Sequence, residues 1–316
     1  MTVASCKGQG ARARRPLDQG PPDHPTARPR DHVTTRPPDH PITQPPDHPI
    51  GIFDSGVGGL SVWREIVRQL PHEEVLYFAD QAHVPYGPRP LSQVREFATA
   101  ITRFLLDRGA KVIVVACNTA SAAALHHLRA TFPQVPFVGM EPAIKPAAQQ
   151  TRSGKVAVLA TPATFQGALF ASLLDRFARH VTVLPQVCPG LVEQVEAGLL
   201  DGAETEELLR RYLEPLVAAG ADQLVLGCTH YPFLRPAIER IVGPAVQVID
   251  PAPAVARQTG RVLAARGRLN EGNRPGQHHF YTSGDPDQFA RQVRRLVGDE
   301  GPIHPVRWEG GVVVAR

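Results

Sequence analysis

Residues 111–124, KVIVVACNTASAAA, decide the fold. Val112 to Val115 form a short β-branched run of the kind buried in a parallel sheet. The run ends at Cys117-Asn118-Thr119, and the small residues Ala120 to Ala124 suit a helix start. Such a strand–turn–helix unit places Cys117 at the carboxyl end of a strand, where open α/β sheets bind their ligands. The free N–H groups and positive dipole end of the new helix are expected to favour a thiolate and an anionic ligand. Residues 223–234, QLVLGCTHYPFL, repeat the pattern with Cys228, Thr229 and His230 at the turn. Two cysteines at equivalent strand ends point to a two-sided thiol site.

The alternation extends in both directions. Residues 50–71, IGIFDSGVGGLSVWREIVRQLP, open with a short strand, turn at Asp54-Ser55-Gly56 and enter a helix through Gly58-Gly59. Leu60, Trp63, Ile66, Val67 and Leu70 fall at helical spacing on its buried stripe. A glycine-rich turn of this kind is a familiar anion cradle. GVGG nevertheless lacks the dinucleotide spacing and the P-loop lysine, so no nucleotide follows from it. Asp54 reads equally as a site carboxylate or as a turn-capping one. Further strand–helix units are expected over 73–109, 155–174, 180–198, 223–234, 245–267 and 278–298, with a stiff Pro- and Gly-punctuated loop at 83–90. In the second half Thr161 and Thr164 occupy the turn where the first half has Asp54 and Ser55. This order predicts an α/β fold of two similar, pseudo-symmetric parallel-sheet lobes with the active site in the cleft between them.

Composition narrows the class. Hydrophobic residues are 42% and charged residues 20% of the 316, a globular balance long enough for two lobes. The net charge of +4 is mild, and no basic stripe interleaved with aromatics marks a nucleic-acid surface. No apolar run approaches a membrane span and none forms a signal-peptide core, so a cytoplasmic enzyme is expected. Cys6, Cys117, Cys188 and Cys228 lack paired zinc spacing and are too few for a disulfide scaffold, so no metal site is expected. In a reducing compartment they stay free thiols. Residues 1–48 stand apart: Asp-His pairs recur every eight residues from Asp23-His24 to Asp47-His48 in a Pro-dense context. They read as a disordered octad-repeat tail, a dispensable leader whose four histidines are at most a weak metal-binding feature.

A free cysteine is often a packing residue, which fits Cys188 before Pro189. Cys117 and Cys228 each close an apolar run and precede polar residues, which favours chemistry. Spacing alone leaves several chemistries open. Zinc would need further ligands, and a redox disulfide would prefer a local C-x-x-C. A cysteine hydrolase would use one thiol with His230 and leave the other unexplained. Proton transfer at a carbon centre uses both thiols, one removing a proton from one face and the other returning one to the opposite face.

The segments IGIFDSGVGGLSV, YFADQAHVPYG, VVACNTASA, GMEPAIKPA, LGCTHYPFL and TSGDP, in order over about residues 50–290, resemble the glutamate racemases of the cofactor-independent aspartate/glutamate racemase family. The resemblance implies interconversion of L- and D-glutamate without pyridoxal phosphate or metal, supplying D-glutamate for peptidoglycan. It implies a homodimer of two-lobed chains, with the first lobe at 49–143 plus 249–316 and the second at 144–248. Carried over by position, Cys117 and Cys228 are the acid/base thiols, assisted by Asp54 and His230. Asp54, Ser55, Tyr86, Gly87, Asn118, Thr119, Thr229 and His230 match substrate contacts, with Thr161 and Glu196 as further candidates. Pro251 and Pro253 depart from the family pattern. Racemisation of aspartate or another acidic substrate, and a non-catalytic binding protein on the same fold, are the alternatives.

Overall fold

The computed structural model describes residues 46–316. Residues 1–45 of the expected tail lie outside the described residues. Pro46–His48, assigned to that tail from sequence, belong instead to the folded chain: His48 Nδ1 lies 3.0 Å from the Gly109 carbonyl, and Lys111 Nζ donates to the Pro46 carbonyl.

Eleven strands build two sheets among the described residues. They are β1 (Ile50–Asp54), β2 (Val75–Ala79), β3 (Val112–Val115), β4 (Phe137–Gly139), β5 (Lys155–Ala160), β6 (Thr182–Val187), β7 (Gln223–Gly227), β8 (Gln247–Ile249), β9 (His278–Thr282), β10 (Ile303–Glu309) and β11 (Val312–Ala315). The larger sheet runs β11-β10-β9-β2-β1-β3-β4 and the smaller β6-β5-β7-β8. Every pairing is parallel except β10 with β11. The order β2-β1-β3-β4 therefore recurs as β6-β5-β7-β8, and Cys117 and Cys228 each follow the third strand of their set.

The burial pattern explains the apolar runs. All residues of β1, β3 and β7 are buried, as expected for strands covered by helices on both faces. The helix Leu60–Gln69 turns Leu60, Trp63 and Ile66 inward, matching the stripe read from sequence. One core cluster joins Ile52, Val114 and Trp63 of the first sheet's layer to Leu191, Leu226 and Leu234 of the second, so the two sheets share packing beneath the cleft. Pro251 and Pro253, which crowd the sequence, open the helix Ala252–Ala264, where a missing N–H costs nothing.

Two features escaped the sequence reading. The first is the carboxyl-terminal hairpin of β10 and β11, turned by Gly310 and Gly311 at φ of 57° and 83°. A two-residue turn with positive φ at both positions matches the twist of the strands it joins. The second is a buried ion pair at the amino-terminal end of the sheet. Lys111 Nζ lies 2.5 Å from Glu73 Oε2, with side-chain exposures of 0% and 1%, and Glu73 Oε1 accepts from the Asn270 N–H at 2.9 Å. Lys111→Met strands the Glu73 charge in the interior and is expected to cost about 3–5 kcal/mol in urea unfolding. Adding Glu73→Leu should recover part of that loss; no recovery would mean the pair's neighbours, not its charges, set the cost.

Candidate active site

Both thiols face one narrow cleft between the sheets' carboxyl ends. From the first lobe its wall takes Ser55, Tyr86, Gly87, Cys117, Asn118 and Thr119; from the second, Thr161, Cys228, Thr229 and His230. Pro85 and Val192 complete the wall and were not foreseen, because an apolar lining residue carries no chemical signature in sequence.

Cys117 caps the helix Asn118–Thr131, and its Sγ accepts from the Ala120 N–H at 3.4 Å. That contact alone would favour the thiolate expected from sequence. Burial and the neighbouring Asp54 charge outweigh it and push the Cys117 thiol well above its ordinary range. Asp54 ends β1 fully buried, with Oδ2 accepting from the Gly59 N–H at 2.9 Å and the Gly56 N–H at 3.3 Å. Burial raises its carboxyl pKa, against the opposing pull of His230 and the Gly59 N–H. A carboxyl with a raised pKa beside a thiol is placed to exchange a proton with it.

Cys228 has a different partner. Its Sγ lies 3.6 Å from His230 Nδ1, and His230 Nε2 lies 2.7 Å from Glu196 Oε1. Burial depresses the imidazole pKa, but hydrogen bonds and charge from Cys228 and Glu196 overcome it and hold it well above the usual value. Glu196 in turn accepts from the Val57 N–H at 2.9 Å, and Gln292 Nε2 donates to its carbonyl at 2.5 Å. Gln81 Nε2 bridges Gln292 Oε1 at 2.9 Å and Glu196 Oε2 at 3.4 Å. Gln81 and Gln292 were invisible in sequence, since only the fold brings them to Glu196.

Asp54 and Glu196 were both expected among the substrate contacts. The structure sets them behind the cleft wall, where Asp54 backs Cys117 and Glu196 backs His230, because each carboxylate is already taken by protein donors. Asn118 is the opposite case: its Oδ1 and Nδ2 are both buried without a partner at the cleft. A buried unpaired amide is costly, and a polar ligand relieves it. Thr119 and Thr161 hydroxyls meet at 2.8 Å across the two lobes. Cys188 is free and buried; burial, with Cys228 nearby, pushes its thiol up to about 12, which suits the packing role read from sequence. Among the described residues no cluster of three or more His, Cys, Asp or Glu side chains is arranged to hold a metal ion.

Glu196→Gln removes the charge that raises His230. The sign follows from linkage: a pKa raised above the unfolded value of about 6.5 gives stability that is full below that pH and is lost as pH rises through the folded value. The variant should therefore be most destabilised at pH 6, with the deficit shrinking in alkali, as read by urea unfolding. A deficit independent of pH would deny the His230–Glu196 coupling.

Comparison with known proteins agrees with this geometry. The sequence profile of the family described as Asp/Glu/Hydantoin racemase matches residues 50–259. Glutamate racemase of Stutzerimonas stutzeri is 51% identical over 254 residues, covering 80% of this chain and 96% of the relative. The crystal structure of glutamate racemase isoform RacE1 from Bacillus anthracis superposes with a TM-score of 0.75 at 34% identity, over 84% of this chain and 98% of that one. Escherichia coli glutamate racemase, solved with L-glutamate and the activator UDP-MurNAc-ala, gives 0.74 at 32% identity, over 83% and 100%. With the family profile matched over residues 50–259 and a half-identical relative aligned almost from end to end, the chain belongs to the Asp/Glu/Hydantoin racemase family.

Proposed function

We propose that the chain is a glutamate racemase that moves the α-proton between two thiols. One observation carries the reading: Cys117 and Cys228 both line one cleft, each with its own acid–base partner. With the substrate α-carbon between them, the thiolate of one cysteine takes the α-proton. The thiol of the other delivers its proton to the opposite face, so the proton count balances and the configuration inverts. The reverse direction exchanges the roles.

An amino-acid α-proton is very weakly acidic, and an ordinary thiol with a pKa of about 8.5 is a modest base. The remaining barrier falls to positioned donors and to exclusion of water. Asn118, with its unpaired amide, and the hydroxyls of Ser55, Thr119, Thr161 and Thr229 are assigned to the two substrate carboxylates, together with Tyr86 and Gly87 on the facing loop. Asp54 supports Cys117, and His230 with Glu196 supports Cys228. Burial and the Asp54 charge favour the protonated form of Cys117, which suits it to donate.

The proposal extends to the setting: a cytoplasmic homodimer supplying D-glutamate for peptidoglycan, with lobes at 49–143 plus 249–316 and at 144–248. Among the described residues no helix is long and apolar enough to cross a membrane. The test is circular dichroism of L-glutamate incubated with purified protein, chelator present and no cofactor added. Decay of the signal toward zero is expected. Decay with L-aspartate alone would keep the two-thiol chemistry and change the substrate; no decay with either would make the chain a binding protein. Light scattering on the same sample reads the subunit number.

A further inference from the structure

Asp80 follows β2 and is fully buried. Four side chains converge on its two oxygens. The Tyr86 hydroxyl donates to Oδ2 at 2.7 Å, and His83 Nδ1 pairs with the same oxygen at 2.9 Å. The Ser283 hydroxyl and the Trp308 indole N–H each donate to Oδ1 at 2.8 Å. Tyr86 is on the cleft wall, whereas Trp308 belongs to β10, beyond the span of the family match.

The rings repeat this linkage. Trp308 stands edge-on to His83 with centroids 4.9 Å apart and tilts against Phe97 at 5.4 Å. Phe97 stacks on His83 at 3.9 Å and reaches Tyr86 at 5.7 Å. The segment carrying Pro85, Tyr86 and Gly87 is thus gripped between a buried carboxylate and an aromatic cluster, and the carboxyl-terminal hairpin closes both.

A buried carboxylate that loses one donor recruits or reorients the others, because an unmatched charged acceptor costs more than a neutral one. Here the donors left to move include Tyr86. We propose that Trp308 is a positioning residue for substrate binding: through Asp80 it fixes Tyr86 and the adjoining cleft wall, which makes the terminal hairpin part of the binding apparatus. The proposal rests on the reading of the cleft as a glutamate site.

Trp308→Phe keeps an aromatic ring against His83 and Phe97 but loses the N–H together with part of the indole. Its KM for both glutamate enantiomers is expected to rise about tenfold, the scale of one charge-assisted hydrogen bond, with kcat changed far less. The chain has two tryptophans, Trp63 and Trp308. Trp308 emission, isolated as the difference between wild type and Trp308→Phe, should change with glutamate and saturate near the wild-type KM. If Trp308→Phe does not fold, Trp63→Phe leaves Trp308 as sole reporter and the same saturation is required. An unchanged KM in Trp308→Phe, with or without a lower melting temperature, overturns the proposal and leaves the hairpin as packing, as does Trp308 emission blind to glutamate. A wild-type protein inactive on glutamate overturns the reading of the cleft and this proposal with it, so the two failures are distinguishable.

Discussion

Cys117→Ser and Cys228→Ser should each slow glutamate racemisation by about a thousandfold or more, since a serine hydroxyl is too weak an acid and its alkoxide too scarce to replace a thiol in proton transfer. The more telling result is expected with α-deuterated substrate. In Cys117→Ser only the transfers made by residue 117 become slow. Starting from the enantiomer that residue 117 deprotonates, C–D cleavage limits the rate and a full primary isotope effect appears. Starting from the other enantiomer, Cys228 removes the deuteron quickly, and the slow step then moves a different proton, so the substrate isotope effect is small. Cys228→Ser must show the reverse pattern. Equal isotope effects from both enantiomers in both variants, or native rates in both, would end the two-thiol mechanism.

Gly58→Ala should also be damaging, though no chemical group is removed. A Cβ at position 58 would meet His230 Nδ1, and also His230 Cε1 and Thr229 Oγ1, each at 2.6 Å. At Gly56 it would strike the Glu196 carboxylate, and at Gly59 it would lie 2.6 Å from Asp54 Cβ. The GVGG turn, whose sequence resembles an anion cradle, is thus the seat on which Glu196, His230 and Asp54 rest. Displacing the imidazole from Cys228 by even an ångström is expected to lower kcat/KM about a hundredfold, while circular dichroism shows the secondary structure intact. Activity within twofold of wild type would mean that His230 yields without cost and that its position is not critical.

The cysteine turns were legible in the sequence because each is local: an apolar run, a cysteine, then polar residues at a helix start. The repeated strand–helix order was legible for the same reason. Gln81, Gln292, Trp308 and the distant half of the Asp80 cluster were not, since those partners lie far along the chain and no periodicity marks them. The upward shift of the Cys117 thiol pKa also ran against expectation. A helix start is visible in sequence, but the depth of burial and the closeness of Asp54 are properties of the packed lobe. Glu196 was found through family resemblance, and its place behind His230 emerged only from the fold.

The recurrence of one strand order in both sheets bears on the problem of handedness. A protein is chiral and cannot offer true mirror images of a site to two mirror-image substrates. It can, however, present the same functional group twice, as a duplicated ancestral half would, so that a planar carbanion meets a sulfur on either side. Because the two products are equal in free energy, nothing requires the helpers behind those sulfurs to match. One sulfur stands beside a carboxyl and the other beside an imidazole, and the asymmetry is tolerable so long as neither barrier becomes impassable.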